Sequence, residues 1–302
     1  MKEKLRNKEF MKVTGVSFIR NAIKYDYPIV EAILSVLPIC DEFVIAVGNS
    51  DDNTLNLIQN IDPHKIKIIQ TTWDDSLREG GRVLADETNK ALQAVSENTD
   101  WIFYIQGDEV VHERYLSTIK NAMQENLNRP NIDGLLFKYL HFYGSYDYVG
   151  NSYQWYRREI RVIRNDKSIY SYKDAQGFRK DNDRKLNVCL IDAYIYHYGW
   201  VKEPKAMQQK QENFNKYWHD DNWMNQNVPK KADFDYSQID MLEKFTETHP
   251  QVMQKRIEQK NWHFDRDLSY NKLKFKDKLK KIVEKLTGGY IIGEYKNYVL
   301  KK

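Results

Sequence analysis

Between residues 13 and 105, short apolar runs alternate with stretches of helical spacing, and that alternation admits few folds. Residues 13–19, 43–47, 66–69 and 101–105 read as strands. The second run carries no polar residue, the mark of a strand covered on both faces. Val30, Ile33, Leu34 and Leu37 recur at helical spacing in residues 27–37, until Pro38 stops the helix. Residues 54–61 read as a second helix, with Asp51 or Asp52 as its cap. Residues 82–95 read as a third, with Leu84, Ala91, Leu92 and Val95 on one side. Strands joined by helices in this order predict an α/β fold, a mainly parallel Rossmann-like sheet with helices on both faces.

Beyond about residue 130 the pattern changes. Residues 135–142, 160–164 and 193–198 read as strands separated by loops, and residues 143–156 are dense in Tyr, Gly, Ser and Asn. After Pro204 the chain turns helical and polar, with scattered anchors at Phe214, Trp218, Trp223 and Phe245. The expected division is a sheet domain over residues 1–203 and a mostly helical, Lys-rich extension over 204–302. No internal repeat or low-complexity block interrupts it.

Composition closes off several function classes. Lys plus Arg number 47 against 43 Asp plus Glu, and so near a balance is no footprint of a dedicated nucleic-acid binder. Two cysteines, Cys40 and Cys189, exclude a disulfide scaffold or a four-cysteine zinc site; both are expected to be buried hydrophobes. No segment has the apolar length to span a bilayer, and residues 1–10 are charged without a signal-like apolar stretch. The expectation is a cytoplasmic protein.

In open α/β sheets ligands bind beyond the carboxyl ends of the strands. Here the four strands are followed by Arg20-Asn21, by Gly48-Asn49-Ser50-Asp51-Asp52-Asn53-Thr54, by Thr71-Thr72-Trp73-Asp74-Asp75 and by Gln106-Gly107-Asp108-Glu109. Carboxylates crowded on one rim repel unless a cation or hydrogen-bond donors offset them. A divalent ion with oxygen ligands meets that need. No glycine-rich phosphate loop follows any strand, which argues against dinucleotide oxidoreductases and P-loop ATPases.

Three stretches in this order resemble the family 2 glycosyltransferases and their relatives of the GT-A fold. They are Val16-Ser17-Phe18-Ile19-Arg20-Asn21 leading to Asp41-Glu42-Phe43-Val44-Ile45; Asn49-Ser50-Asp51-Asp52-Asn53-Thr54; and Gly80-Gly81-Arg82, running through Asn89-Lys90-Ala91 to Trp101-Ile102-Phe103-Tyr104-Ile105-Gln106-Gly107-Asp108-Glu109. The last resembles that family's strand ending in Asp-x-Asp, with Gln106 in place of the first Asp. The likeness spans residues 12–115 and extends, more loosely, to about 200.

The resemblance implies a metal-dependent, inverting transfer of a sugar from a nucleoside-diphosphate sugar to a glycan or lipid-linked acceptor. It places the ligand for Mn²⁺ or Mg²⁺ at Asp108, completed by His197; the alternative for His197 is a half-buried imidazole inside an aromatic cluster. It gives Gln106 to the ribose, Asp52 to the base or ribose and Asn21 to the base pocket. Asp52 is equally read as a helix cap and Asn21 as a turn residue. Arg20 and Arg82 suit diphosphate oxygens through their fixed fork of donors, or are solvated surface residues. Inversion needs a base for the acceptor hydroxyl. Asp174 is the first candidate, unless it pairs with Lys173 or Arg179. Glu159 is the second, unless the arginines of residues 157–164 hold it in ion pairs. Aromatic residues of 143–156 would form an acceptor shelf or pack a domain junction.

Two rivals keep the fold and change the function: a sugar-nucleotide nucleotidyltransferase, and a non-catalytic carbohydrate- or protein-binding module. Residues 271–302 hold ten Lys against three acidic residues. Leu273, Leu279, Ile282, Val283 and Leu286 there either pack inward or meet an anionic lipid surface.

Overall fold

A computed structural model of the chain describes residues 10–228, 231–271, 275–286 and 296–301. Residues 1–9 of the charged N-terminal stretch and Leu273 lie outside the described residues. The first half has the expected alternation: β1 (Val13–Ile19), α1 (Ile29–Val36), β2 (Glu42–Gly48), α2 (Thr54–Gln59), β3 (Ile66–Thr71), α3 (Arg82–Gln93) and β4 (Trp101–Tyr104). These strands lie parallel in the order β3-β2-β1-β4.

The unbroken apolar run of β2 has the reason expected for it. Phe43, Ile45 and Val47 join a core with Ile29, Ile33 and Val36 of α1. Val44 and Ala46 point the other way, into a core with Val83, Leu84 and Leu92 of α3. Alternate side chains thus reach opposite faces, and a helix covers each.

After β4 come β5 (Glu109–Val111), α4 (Leu116–Asn126), β6 (Gly134–Tyr143), β7 (Tyr148–Gly150) and β8 (Arg158–Arg164). Strand β8 inserts antiparallel between β4 and β6. β9 (Ile169–Tyr172), β10 (Gly177–Lys180) and β11 (Arg184–Lys185) form a separate small sheet. In the sequence this stretch carries no strand signal, because Arg179, Lys180, Arg184 and Lys185 break any apolar alternation. β12 (Asn187–Trp200) is longer than its apolar stretch and runs parallel to β6. It also pairs antiparallel with β5. The later chain contributes α5 (Pro204–Phe214), α6 (Asp221–Asn227), β13 (Leu242–Lys244), α7 (Gln254–Glu258), α8 (Phe275–Leu286) and β14 (Val299–Lys301). β13 extends the sheet at β7, and β14 pairs with β12. The whole is a mixed α/β, GT-A-like architecture with a curled, mostly parallel sheet flanked by helices.

A buried ion pair ties β8 to the start of β5, just past the end of β4. Arg161 of β8, fully buried, donates from Nε and a terminal nitrogen to the two oxygens of Glu109, at 2.8 and 2.7 Å. The Tyr139 hydroxyl of β6 donates to the same carboxylate at 2.8 Å, as does the Gln106 backbone N–H at 3.1 Å. Arg161 also donates to the carbonyl of Gln176 at 3.1 Å. The exit of β4 and the turn before β10 therefore hang on one guanidinium. Cys40 is buried and Cys189 half-buried, both as free thiols; burial pushes the Cys40 thiol up to about 12.

Arg161→Met strands the Glu109 charge in the interior. A loss of about 3–5 kcal/mol is expected for breaking such a pair, read from urea unfolding. Unchanged stability would show that the pair does not anchor the sheet.

Candidate functional site

β1, β2, β3 and β4 all end on one edge, and two adjoining depressions open there. The first is a cavity of about 530 Å³ whose lining includes Arg20, Gln106, Asp108, Asp174, His197 and Lys210. Tyr25, Tyr27, Trp73, Tyr217 and Trp218 supply aromatic wall. Lys210, Tyr217 and Trp218 come from α5 and the turn after it, so the later chain closes the site that the sheet opens. The second cleft, about 580 Å³, shares Arg20, Tyr25, Asn213 and Tyr217 with the first and adds Asn21, Ser50, Asp51, Asp75 and Arg78.

Asp108 is held from several sides. The Tyr198 backbone N–H donates to its carbonyl at 2.8 Å. Its Oδ2 accepts from Lys210 Nζ at 3.1 Å, and the same ammonium donates to the Gly199 carbonyl at 2.9 Å. Burial alone would raise the Asp108 pKa; the Lys210 ammonium overcomes it and holds the carboxyl well below its usual range. Gly199 permits this crowding. A Cβ there would stand 2.8 Å from Asp108 Oδ2 and 2.6 Å from the His197 ring.

The tautomer of His197 follows from its neighbour. His141 Nε2 lies 2.7 Å from the Tyr156 carbonyl, which can only accept, so that nitrogen carries the proton. Burial, assisted by His197, keeps His141 neutral with a pKa well below 6.5. Its Nδ1 is then an acceptor, and His197 Nδ1, 3.2 Å away, is the donor. Burial also lowers the His197 pKa, against the pull of Asp108. The His197 Nε2 lone pair therefore faces Asp108 Oδ1 across 3.7 Å. A carboxylate oxygen and an imidazole lone pair so placed fit two neighbouring positions around a divalent cation. Three or more His, Cys, Asp or Glu side chains do not converge anywhere among the described residues, so substrate oxygens and water would supply the remaining positions.

Asp174 faces the same cavity. It sits between Lys173 and Ala175, both at positive φ (54° and 61°), which swing the turn toward the site. It forms no ion pair with Lys173 or Arg179; Arg179 is taken up by Asn297 and Asp183. Burial raises its pKa, against backbone N–H groups of its own turn. Gln106 also lines the cavity, but its amide nitrogen is committed to the Ala175 carbonyl at 3.1 Å and the Tyr104 hydroxyl at 3.2 Å. Glu159 lies behind the site rather than in it. Its Oε1 accepts from Gln176 at 2.9 Å, and its Oε2 is buried without a partner among the described residues. The surrounding arginines are engaged elsewhere: Arg161 with Glu109, Arg157 with Glu284, and Arg164 with backbone carbonyls. Burial pushes Glu159 up to about 8, so at neutral pH it is a carboxylic acid and not the ion-paired carboxylate expected.

The remaining candidates separate. Arg20 stands in the wall shared by the two clefts, donating to Asp75 at 2.7 Å and to the Asn49 carbonyl at 3.1 Å. Asn21 lines the second cleft; at φ 55° its Oδ1 accepts from the Asp51 N–H at 2.9 Å, tying the ends of β1 and β2 together. Asp52 lines neither cleft. Its oxygens accept from the N–H of Lys24 and from the N–H and hydroxyl of Thr54, so it braces the turn before α2, whose cap is Asn53. Arg82 is exposed and also lines neither. Of the aromatic stretch 143–156, Tyr156 lines the cavity, whereas Tyr143, Tyr148 and Trp155 pack with Tyr236, Leu242, Met207 and Phe264. Lys210 and Gln176 carry no role in the sequence reading, and His141 is expected there only as a surface or packing residue. Only Lys210 left a trace, as a lysine on the face of α5 that also carries Met207.

No protein-family model matches the chain, and no curated protein does. Among solved structures it is similar to TarS of S. aureus, at 15% identity over 67% of this chain and 39% of that one, with a TM-score of 0.38. Against residues 1–349 of TarS the coverage is 74% and 67%, with a TM-score of 0.39. It is similar to 4-diphosphocytidyl-2C-methyl-D-erythritol synthase from Anaerococcus prevotii at 14% identity, over 68% of this chain and 95% of that, with a TM-score of 0.38. It is also similar to glucosyl-3-phosphoglycerate synthase from Mycobacterium tuberculosis, solved with Mn²⁺, UDP and glucosyl-3-phosphoglycerate: 17% identity, 44% and 45% coverage, TM-score 0.30. The chain thus spans about two fifths of the full TarS chain and under half of the mycobacterial synthase.

The protonated state of Glu159 has a consequence for stability. The folded state keeps a proton that the unfolded chain releases from 4.5 upward, until the folded carboxyl ionises near 8. Its contribution to stability therefore falls as pH rises through that window. Glu159→Gln removes the fall, so the variant gains on the parent between those limits in urea midpoints. Parallel profiles would contradict the buried acid.

Proposed function

We propose that the cavity binds a nucleoside-diphosphate sugar and transfers the sugar to a hydroxyl of a glycan or lipid-linked acceptor, with inversion. One observation supports this above the rest. Asp108 with His197, and Asp174, face a single aromatic-walled cavity beyond the carboxyl ends of the parallel strands. The two depressions together suit an extended ligand, with the nucleoside over Asn21 and Ser50, the diphosphate at Arg20, and the sugar between Asp108 and Asp174.

Asp174 takes the proton from the acceptor hydroxyl as its oxygen attacks the anomeric carbon. The bond from that carbon to the diphosphate oxygen breaks, and its electron pair leaves with the diphosphate. Burial favours the proton on Asp174 and so strengthens it as a base. Arg20 meets the leaving charge with its planar fork of donors. The aromatic walls exclude water and offer faces to the sugar ring. Asp108 and His197 would hold Mn²⁺ or Mg²⁺, which when bound supplies further positive charge to the diphosphate. Gln106 holds the Ala175 carbonyl and thereby the Asp174 turn. Glu159 acts on the same turn through Gln176, as a positioning residue.

A second reading concerns the cation alone. The Lys210 ammonium already lies on Asp108, which favours a site where this side chain, rather than a metal ion, faces the diphosphate.

A thermal-shift panel of UDP-, GDP- and CMP-sugars, with and without Mn²⁺, tests both, because ligands that bind the folded state raise its melting temperature. A donor that stabilises only with Mn²⁺, and loses that part in Asp108→Ala, supports the metal reading. A shift without metal that Lys210→Met removes supports the other. No shift with any donor contradicts the proposal. Asp174→Asn is expected to keep the donor shift and slow transfer by about 10²–10⁴-fold; unimpaired transfer would remove Asp174 from the chemistry.

A further inference from the structure

Helix α8 sits on the protein with its polar side inward. Glu284 accepts from Arg157 at 2.5 Å and from the Tyr153 hydroxyl at 2.7 Å. Lys280 pairs with Asp277 at 3.3 Å and lies over the Tyr153 ring at 5.0 Å. At 100° per residue, Asp277, Lys280 and Glu284 share one face and Leu279, Ile282 and Leu286 share the opposite one. That apolar face is outward: Leu279 is 50% exposed, Ile282 56% and Leu286 80%. Water is a poor solvent for three aliphatic side chains in a row. These three therefore do not pack inward, while Val283 beside them is half-buried.

The flanks of the stripe indicate what it meets. The exposed lysines Lys276, Lys278 and Lys285 border it, the first on one side and the other two on the other. The helix's two carboxylates, Asp277 and Glu284, are both turned inward to cations. An apolar stripe between lysines, with no outward carboxylate from the helix, complements a surface that is apolar below and anionic above. It opposes a second copy of itself, which would set lysines against lysines.

We propose that α8 docks the protein in the plane of an anionic lipid bilayer, with Leu279, Ile282 and Leu286 entering the acyl boundary and the lysines meeting the headgroups. No helix among the described residues is long and apolar enough to cross a membrane, so this contact is peripheral. Tyr153 and Arg157, which hold the inner face of the helix, flank Tyr156 of the cavity lining in sequence. The proposal does not depend on the transfer reaction.

The test is co-sedimentation of the full chain with vesicles of phosphatidylcholine alone or mixed equally with phosphatidylglycerol. Binding is expected to the mixture, to fall with salt, and to weaken about fivefold for each of Lys276, Lys278 and Lys285 changed to Gln. The triple variant Leu279→Ser, Ile282→Ser, Leu286→Ser is expected to stay in solution with an unchanged melting temperature, since it alters only exposed groups. The proposal is overturned if the parent does not sediment with the mixture at low salt, if it binds phosphatidylcholine equally well, or if the triple variant sediments like the parent. A parent dimer in solution that the triple variant converts to monomer would overturn it too, by making the stripe a self-association face.

Discussion

The buried pair of Arg161 and Glu109 is the constraint on which the site rests. A guanidinium and a carboxylate taken wholly out of water must satisfy each other and nearly all their remaining donors and acceptors. They do so by recruiting Tyr139 from β6, the Gln106 backbone at the exit of β4, and the Gln176 carbonyl before β10. Each of those contacts fixes a neighbour of a candidate site residue. Asp108 precedes Glu109, and Asp174 lies two residues from Gln176. The exit of β4, strand β6 and the turn before β10 are thereby tied together at the point where the cavity opens.

Around Asp108 the electrostatics are arranged by burial and by one close backbone approach. Lys210 and His197 reach it only because residue 199 has no side chain. His141 turns the His197 lone pair toward the carboxylate by spending its own proton on the Tyr156 carbonyl. A cation is thus already matched to Asp108 in the protein as it stands.

In the parallel half, β2 and β4 were legible in the sequence because both are buried on both faces and so read as apolar runs, whereas the edge strand β3 keeps Lys67 and Gln70 exposed. Residues 43–47 and 101–105 announce themselves in this way. The small sheet around Arg179 and Lys180 was not legible, because its strands are short and carry charges whose partners are distant in sequence. Much the same divides the site. Asp108, Asp174, His197, Arg20 and Gln106 lie on strand ends and turns whose position the topology dictates, and they meet in one cavity. Asp52 reads equally as ligand or cap in sequence; in the structure it holds the N–H groups of Lys24 and Thr54 in the turn before α2, and Asn53 is the cap. Arg82 opens a helix at the rim, yet its side chain leaves the cavity for solvent. Lys210 was illegible because it lies on a polar helix, and no spacing rule ties that helix to residue 108. Glu159 misled because four nearby arginines suggest ion pairs, whereas Arg161, Arg157 and Arg164 find their partners in Glu109, Glu284 and backbone carbonyls.

The account stands on a diphosphate lying beside Asp108. Diffraction from crystals soaked with a saturating nucleoside diphosphate, with and without Mn²⁺, locates it directly. The account predicts pyrophosphate density inside the cavity, between Arg20 and the Asp108 carboxylate, with the nucleoside toward Asn21. Nucleotide bound elsewhere on the surface, with the cavity filled only by water at saturation, would contradict it.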